Sequence, residues 1–364
     1  MRKNFLVVIG TRPNFIKVTR FKKIAASYPN INLKIVHTGQ HFDNNMADVF
    51  FEQFNLTPDF FLNISKGSAS TQIAEIMVKL EELILTKFKP SLMLVVGDVN
   101  STLAASVTAN KLTIPIAHIE SGLRSFDRTM PEEFNRLVTD QLADYLFITE
   151  PSGKENLLKE NIASNKMHLV GNTMIDTLVE FSPQIEKSAI LNKLNLQVQK
   201  YVLTTIHRPA TVDSKEGLIK LIALIEIITK KYKAVFPIHP RTVNNLKKFE
   251  LYDKLIENKN LITTEPLDYF AFQKLIKYCK FIITDSGGIQ EESTFLQVPC
   301  LTLRNNTERP ITCTKGTNTL VPFEINEIEK YILQIENGTY KKGQIPDLWD
   351  GHATERIFSV LSTQ

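Results

Sequence analysis

Two stretches late in the chain hold residue types that can grip a phosphorylated ligand: Asp285-Ser286-Gly287-Gly288-Ile289-Gln290-Glu291-Glu292 and Asn306-Thr307-Glu308-Arg309-Pro310. The first follows an apolar run at 281–284, which predicts a buried parallel strand. A Ser-Gly-Gly turn then opens a helix, so unpaired backbone N–H groups and the positive end of the helix dipole face whatever lies above the strand. Glycine at 287 and 288 lets an anion approach the backbone closely. Glu292, one turn into the helix, offers a carboxylate to a ribose diol, and Arg309 arrives from a nearby loop. The pattern is that of a nucleotide-diphosphate socket.

Other polar residues stand where apolar runs end, the place at which open parallel sheets receive ligands. Gly10-Thr11-Arg12-Pro13 follows the first run, with Lys17 a turn further on, and Gly97-Asp98 follows the third. His118-Ile119-Glu120-Ser121-Gly122-Leu123-Arg124 follows the fourth, and Pro131-Glu132-Glu133-Phe134-Asn135-Arg136 opens the next helix. Later, His207-Arg208 and His239-Pro240-Arg241 occupy equivalent positions. Each has a structural alternative. Asp98 could cap the helix starting near Ser101; Glu132 and Glu133 would suit a helix's first turn in any case; Arg124 and Arg136 could be surface partners of nearby acids. Together, acids, histidines and arginines at so many strand ends are costly unless they meet a ligand or one another.

Strand and helix patterns alternate almost throughout. Runs suited to buried parallel strands lie at 5–9, 33–37, 92–96, 114–118 and 145–148, then at 168–170, 201–206, 234–238, 261–263, 281–284 and 299–303. Amphipathic stretches such as 71–88 and 218–228 fall between them. Alternation of this kind means α/β architecture, and the strands exceed one comfortable doubly wound sheet. We therefore expect two Rossmann-like domains facing a cleft: residues 1–172 with the acids, and 173–350 with the phosphate-binding turn. The strandless stretch 182–199 lies near the break, and a short helix in 351–364 returns to the first domain.

At 364 residues the chain suits two domains. Its net charge of +4 is spread along the sequence rather than massed, which argues against nucleic-acid binding. Cys279, Cys300 and Cys313 have no C-x-x-C spacing and no histidine at ligand intervals, so buried, reduced thiols are expected rather than a metal site. The apolar run at 5–9 is too short for a signal sequence, and no window approaches the ~18 apolar residues of a membrane helix. A cytoplasmic location is the expectation.

The motifs, taken in order, resemble those of the non-hydrolysing UDP-N-acetylglucosamine 2-epimerases, whose fold is that of the two-domain GT-B glycosyltransferases. They are GTRPNFIK at 10–17, TGQHFD at 38–43, GDVNST at 97–102, HIESGLRSFD at 118–127, MPEEFNR at 130–136, GNTMID at 171–176, His207-Arg208, HPRT at 239–242, TDSGGIQEE at 284–292 and TERP at 307–310. The resemblance implies inversion at C2 of UDP-N-acetylglucosamine through elimination of UDP and re-addition, with no metal or other cofactor. It makes Asp98, Glu120 and Glu132 the catalytic carboxylates and puts His207 at the diphosphate. Arg12 and Lys17 correspond to first-domain contacts with the nucleotide sugar. Ser286, Gly287 and Gly288 match the phosphate loop, Glu292 the ribose contact and Arg309 a further contact. A homodimer is implied, and a second UDP-sugar bound as activator would fall near Gln40, Asp43, Arg208 and His239.

Departures from the family pattern bear on specificity and regulation. Asn14-Phe15 stands where Glu commonly follows Gly-Thr-Arg-Pro, Thr-Ile precedes His207, and Asp43 lies near a usual Glu. A modified substrate such as a UDP-2,3-diacetamido uronic acid is thereby left open. A hydrolysing 2-epimerase would carry similar motifs. A GT-B glycosyltransferase would share the Ser-Gly-Gly socket but would need an acceptor pocket in place of clustered acids, and a non-catalytic sensor would have no use for those acids.

Overall fold

The structure is a computed structural model that describes residues 2–39 and 51–363. The chain divides into two compact units, residues 1–180 with 347–364, and residues 181–346. The first holds strands β1 (Lys3–Ile9), β2 (Ile31–His37), β3 (Phe60–Phe61), β4 (Leu92–Val96), β5 (Ile116–Ser121), β6 (Tyr145–Ile148) and β7 (Met167–Leu169). They form one parallel sheet in the order β3-β2-β1-β4-β5-β6-β7. The second unit holds β8 (Tyr201–Thr205), β9 (Lys233–Pro237), β10 (Leu261–Thr264), β11 (Ile282–Thr284), β12 (Cys300–Thr302) and β13 (Asn318–Leu320), ordered β10-β9-β8-β11-β12-β13. Each sheet therefore reverses direction once, between β1 and β4 and between β8 and β11. At such a switch point the loops diverge and leave a crevice beyond the strand ends.

Central strands read as unbroken apolar runs because helices cover both faces. In β8, Val202 packs on one face with Phe236, Ile283 and the helix Lys215–Thr229, through Leu221, Leu224 and Ile225. Its neighbour Leu203 points the other way, onto Val235, Ile282 and the helix Tyr269–Tyr278, through Leu275 and Ile276. In the first unit, Leu6, Val8, Met93 and Val95 meet Ile76 and Leu80 of Ala69–Thr86 and the alanines of Asn100–Lys111. Ser68 caps the former helix by accepting from Thr71 N at 3.2 Å.

The division of the chain differs from expectation at both crossings. Residues 173–180 and 347–350, assigned from sequence to the second domain, belong to the first unit. Thr177 Oγ1 on the helix Thr173–Glu180 bonds Thr19 Oγ1 at 2.6 Å, and Trp349 Nε1 donates to Thr149 O at 3.1 Å. The last helix, Ala353–Ser362, is seated on the first unit: buried Asp176 accepts from Ala353 N at 3.0 Å and Thr354 N at 2.6 Å, and Phe358 meets Phe21 edge-on. Stretch 182–199 is not a bare linker, since Ser182–Lys187 and Ile190–Lys193 are short helices burying Ile185 and Ile190. Strands β3 and β13 carry no apolar run long enough to announce them, and β5 begins after Pro115 and extends to Ser121. Among the described residues no helix is long and apolar enough to cross a membrane.

His37, at the end of β2, is buried; its Nδ1 accepts from Gly39 N at 3.0 Å and its ring lies near Phe51 and Phe61. Burial disfavours the imidazolium and pushes the pKa down to about 4. The unfolded chain takes up this proton near pH 6.5 while the folded protein does not, so acidification from about pH 6.5 to 4 removes up to ~3 kcal/mol of stability. Melting midpoints recorded across this range should fall more steeply for the wild type than for His37→Gln; parallel profiles would refute the assignment.

Candidate functional site

At the switch point of the first unit, the turns after β1 and β4 are stitched together by one buried amide. Asn14 Oδ1 accepts from Gly10 N at 3.3 Å and from Thr11 Oγ1 at 3.1 Å, while Nδ2 donates to Val96 O at 2.9 Å. Asn14 stood out in the sequence only as a departure from a family pattern; its place in this crevice was not legible. One turn along the helix Arg12–Val18, buried Lys17 makes an ion pair with buried Glu120. Arg12, half-buried, opens that helix.

Glu120 occupies the left-handed region at φ +70°. It lies between Ile119 and Ser121, where the register of β5 on β6 shifts. A bulge of this kind turns a side chain out of the alternation of its strand, and a non-glycine residue held there stores backbone strain. Gly97, at φ +65°, comes close: a Cβ on it would lie 3.3 Å from both Glu120 Oε2 and Lys17 Nζ. Asp98, the next residue, accepts from Arg136 Nε at 3.0 Å and Nη2 at 2.6 Å. The helix Asn100–Lys111 has Val99 at its cap, so Asp98 is not a capping residue.

Glu132 and Glu133 do lie in the first turn of the helix Pro131–Leu142, and their environments differ. Glu133 is buried and accepts from Ser125 N at 3.0 Å, Phe126 N at 2.9 Å and Arg136 Nη1 at 2.6 Å, which makes it a loop anchor. Glu132 is half-buried, with no ion pair among the described residues. Arg124 and Arg136 are buried, contrary to a surface pairing: Arg124 Nη2 stands 2.7 Å from Asp140 Oδ2 and 2.7 Å from Glu160 Oε2.

In the second unit, Asp285 follows β11 and is fully buried. Its Oδ2 accepts from His207 N at 2.9 Å and Arg208 N at 2.7 Å, and its Oδ1 lies 3.1 Å from His207 Nδ1. Burial raises the Asp285 pKa, but the His207 ring and the two backbone donors outweigh it and hold the carboxylate below its ordinary range. The His207 ring is partly exposed, and His239 lies beside it with centroids 5.6 Å apart. Burial and the neighbouring His207 hold His239 below the usual histidine value.

The helix Gly287–Phe295 begins after Ser286, whose side chain caps nothing. Gly287 is closely approached: a Cβ would lie 2.8 Å from Glu308 Oε1 and 3.2 Å from Arg309 Nη1, so a larger residue would have to displace this ion pair. Arg309 immediately precedes the short helix Pro310–Thr314 and is buried, with Nε 2.7 Å from Glu291 Oε2 and a second pair to Glu308. Arg304 Nη2 meets Glu308 Oε2 at 2.9 Å, and Gln290 Oε1 accepts from Thr307 Oγ1 at 2.7 Å and Asn318 Nδ2 at 3.0 Å. Glu292 is buried on the same helix as Gly287 and Gly288. Asp285, Gln290 and Arg304 were missed, although Asp285 and Gln290 lie inside the quoted motif. Gln40 and Asp43 lie outside the described residues.

The first unit thus gathers acids at a switch point, and the second presents helix N–H groups, a histidine and an arginine framework at its own. The former suits proton transfer, the latter an anionic phosphate ester.

A family model described as UDP-N-acetylglucosamine 2-epimerase matches residues 23–362. The chain is 42% identical over 364 residues to the UDP-N-acetylglucosamine 2-epimerase of Methanocaldococcus jannaschii, covering 98% of each. It is 38% identical over 321 residues to a UDP-2,3-diacetamido-2,3-dideoxy-D-glucuronate 2-epimerase of Pseudomonas aeruginosa, covering 87% of each. It is also similar to the crystal structure of the M. jannaschii protein in complex with UDP-GlcNAc and UDP, with a TM-score of 0.88 and 40% identity, over 99% of this chain and 100% of that one.

The buried Lys17–Glu120 pair should behave as a unit. Lys17→Met strips Glu120 of this counter-charge and should cost about 3–5 kcal/mol, whereas Lys17→Met with Glu120→Gln should regain most of that loss. Urea midpoints at constant slope measure both; losses that simply add would show that the two side chains do not depend on each other.

Proposed function

This chain belongs to the UDP-N-acetylglucosamine 2-epimerase family, and from that premise we propose that it interconverts UDP-N-acetylglucosamine and UDP-N-acetylmannosamine. The family consists of isomerases, and the two Rossmann-like units are those of a GT-B type fold. The observation that carries the reading is the gathering of Glu120, on its left-handed bulge, and Asp98 at the β1/β4 switch point.

The C2 hydrogen of the hexose has no neighbouring carbonyl to stabilise a carbanion, so direct deprotonation is too costly. Elimination avoids this. A carboxylate removes the C2 proton, the C1–O bond breaks, UDP departs with the electron pair, and a C1=C2 double bond forms, giving 2-acetamidoglucal. In the return direction an acid delivers a proton to the opposite face of C2 and the UDP oxygen re-forms its bond to C1. Base and acid on two sides of C2 are drawn from Asp98, Glu120 and Glu132.

The leaving diphosphate collects negative charge, and the second unit answers it. Nε2 of His207, the ring nitrogen opposite the one beside Asp285, serves the departing oxygen. The amides of Gly287 and Gly288 and the hydroxyl of Ser286, whose own N–H is taken by Thr284 Oγ1, bind phosphate, and Glu292 accepts from the ribose. Arg12 and Lys17 contact the sugar nucleotide from the first unit, and Arg309 is a further contact. Arg208 and His239, beside His207, contact a second UDP-sugar that acts as activator, and the enzyme is a homodimer.

A second reading rests on the Pseudomonas aeruginosa relative: the same chemistry on a UDP-2,3-diacetamido uronate. Incubation with each sugar nucleotide in deuterium oxide, followed by proton NMR, distinguishes them. UDP-N-acetylglucosamine should give the manno epimer carrying deuterium at C2 without added metal or NAD. Free N-acetylmannosamine with stoichiometric UDP would instead identify a hydrolysing enzyme, and turnover of the uronate alone would favour the second reading. Asp98→Asn and Glu132→Gln should each lower kcat by about 10²–10⁴-fold. Retained turnover with lost UDP affinity would overturn their roles.

A further inference from the structure

The three elements that carry Asp98, Glu120 and Glu132 meet at one buried pair, His118 and Asp140. Both side chains are wholly shielded from solvent. His118 lies on β5, two residues before Glu120. Its Nε2 stands 2.9 Å from the carbonyl of Gly97, the residue before Asp98, and its Nδ1 stands 2.6 Å from Asp140 Oδ1. Asp140 projects from the helix that begins with Pro131 and Glu132. Its second oxygen accepts from the backbone N–H of Gly122, two residues after Glu120, at 3.1 Å, and lies 2.7 Å from Arg124 Nη2.

The proton positions follow from what each partner can do. A peptide carbonyl only accepts, so Nε2 of His118 donates to Gly97 O. Asp140 receives a backbone N–H and a guanidinium on Oδ2; His118 and Arg124 together outweigh burial and hold its carboxyl below the ordinary carboxylate range. At the other end of the ring, Nδ1 shares a hydrogen bond with Asp140 Oδ1. The imidazole is fixed by two hydrogen bonds at opposite ends of its ring, with no rotation left to it. Through it and the carboxylate behind it, the turn after β4, both flanks of the bulge in β5 and the helix of Glu132 are cross-tied.

Strain makes such a tie necessary. Glu120 sits at φ +70° between Gly97 at +65° and Gly122 at +79°, and a non-glycine residue persists there only when its surroundings over-determine it. A Cβ on Gly122 would lie 2.4 Å from Gly153 O, so this flank is also pressed against its neighbour. Released from Asp140, the Gly122 amide loses its partner and the bulge one of its anchors.

We propose that His118 and Asp140 are positioning residues for the epimerisation, setting the separation of the carboxylates of Asp98, Glu120 and Glu132 without touching the sugar. The proposal rests on the epimerase reading above, and deuterium incorporation by the wild type tests that reading separately. Misplacement of reacting groups by about 1 Å costs roughly 10²-fold in rate, while the uridine and phosphate contacts of the second unit are untouched. His118→Asn, which can keep the bond to Asp140 but not that to Gly97 O, and Asp140→Asn should therefore lower kcat roughly 10²-fold with KM for UDP-N-acetylglucosamine within about threefold of wild type.

His118→Gln, whose amide can reach Gly97 O, should retain more activity than His118→Asn. Impaired return of the proton should also make the variants release 2-acetamidoglucal and UDP, seen by NMR, which general destabilisation would not produce. A parallel rise in KM, or unchanged kcat in folded variants, overturns the proposal. Should the variants fail to fold, hydrogen exchange of the wild type decides it: the Gly122 amide held by Asp140 should exchange as slowly as the amides of the central strands, and rapid exchange would refute the tie.

Discussion

Each unit depends on one buried aspartate that takes hydrogen bonds from the backbone beside a strand's carboxyl end and lies against a histidine ring. In the first unit Asp140 holds Gly122 N and His118; in the second Asp285 holds His207 N, Arg208 N and the His207 ring. Backbone N–H groups at strand ends lack ladder partners, and a carboxylate accepting them charges the contact and fixes the loop's path. Against burial, His118 and Arg124 hold Asp140, and the His207 ring with two backbone donors holds Asp285, below the ordinary carboxylate range. Loops that would otherwise be the loosest parts of a parallel α/β sheet thereby become fixed platforms at its ligand-binding edge.

Around these anchors the protein accumulates charge inside its own core. Lys17 with Glu120, Arg124 with Asp140, Arg136 with Glu133 and Arg309 with Glu291 are all buried pairs. Desolvation of two ions generally consumes what their attraction returns, so such pairs are poor agents of stability. Their concentration at the switch points of both sheets is better explained by chemistry: a polar framework fixed in advance needs little reorganisation when charge moves in the substrate. The left-handed Glu120 belongs to the same economy, since its strain is borne by neighbours locked in place.

Much of the architecture was legible because buried parallel strands advertise themselves. Runs such as Leu92–Val96 and Tyr145–Ile148 appear in the structure with the bounds read from sequence. Edge strands do not: Phe60–Phe61 is too short to carry a pattern, and Asn318–Leu320 contains a buried asparagine whose reason for burial is Gln290, distant in sequence. The crossings between units were also misread, because the helix Thr173–Glu180 is assigned by what it packs against, and its own residues do not say that Thr19 will be its neighbour.

The residue types at strand ends, and their order along the chain, were settled by sequence alone: a Ser-Gly-Gly turn before a helix means open amides whatever surrounds it, and acids after apolar runs fall at the edge of a sheet. Their environments were not. Asp98 and Glu133 look alike in a string of letters, yet one borders the switch point and the other ties down a loop. Arg124, readable as a surface ion, is a buried partner of Asp140, and Glu120 owes its orientation to a bulge that no local propensity encodes. Local rules follow from bonds between neighbours in the chain. Burial, counter-charge and strain arise only when distant segments close around the same few atoms, and those were decided by the tertiary structure.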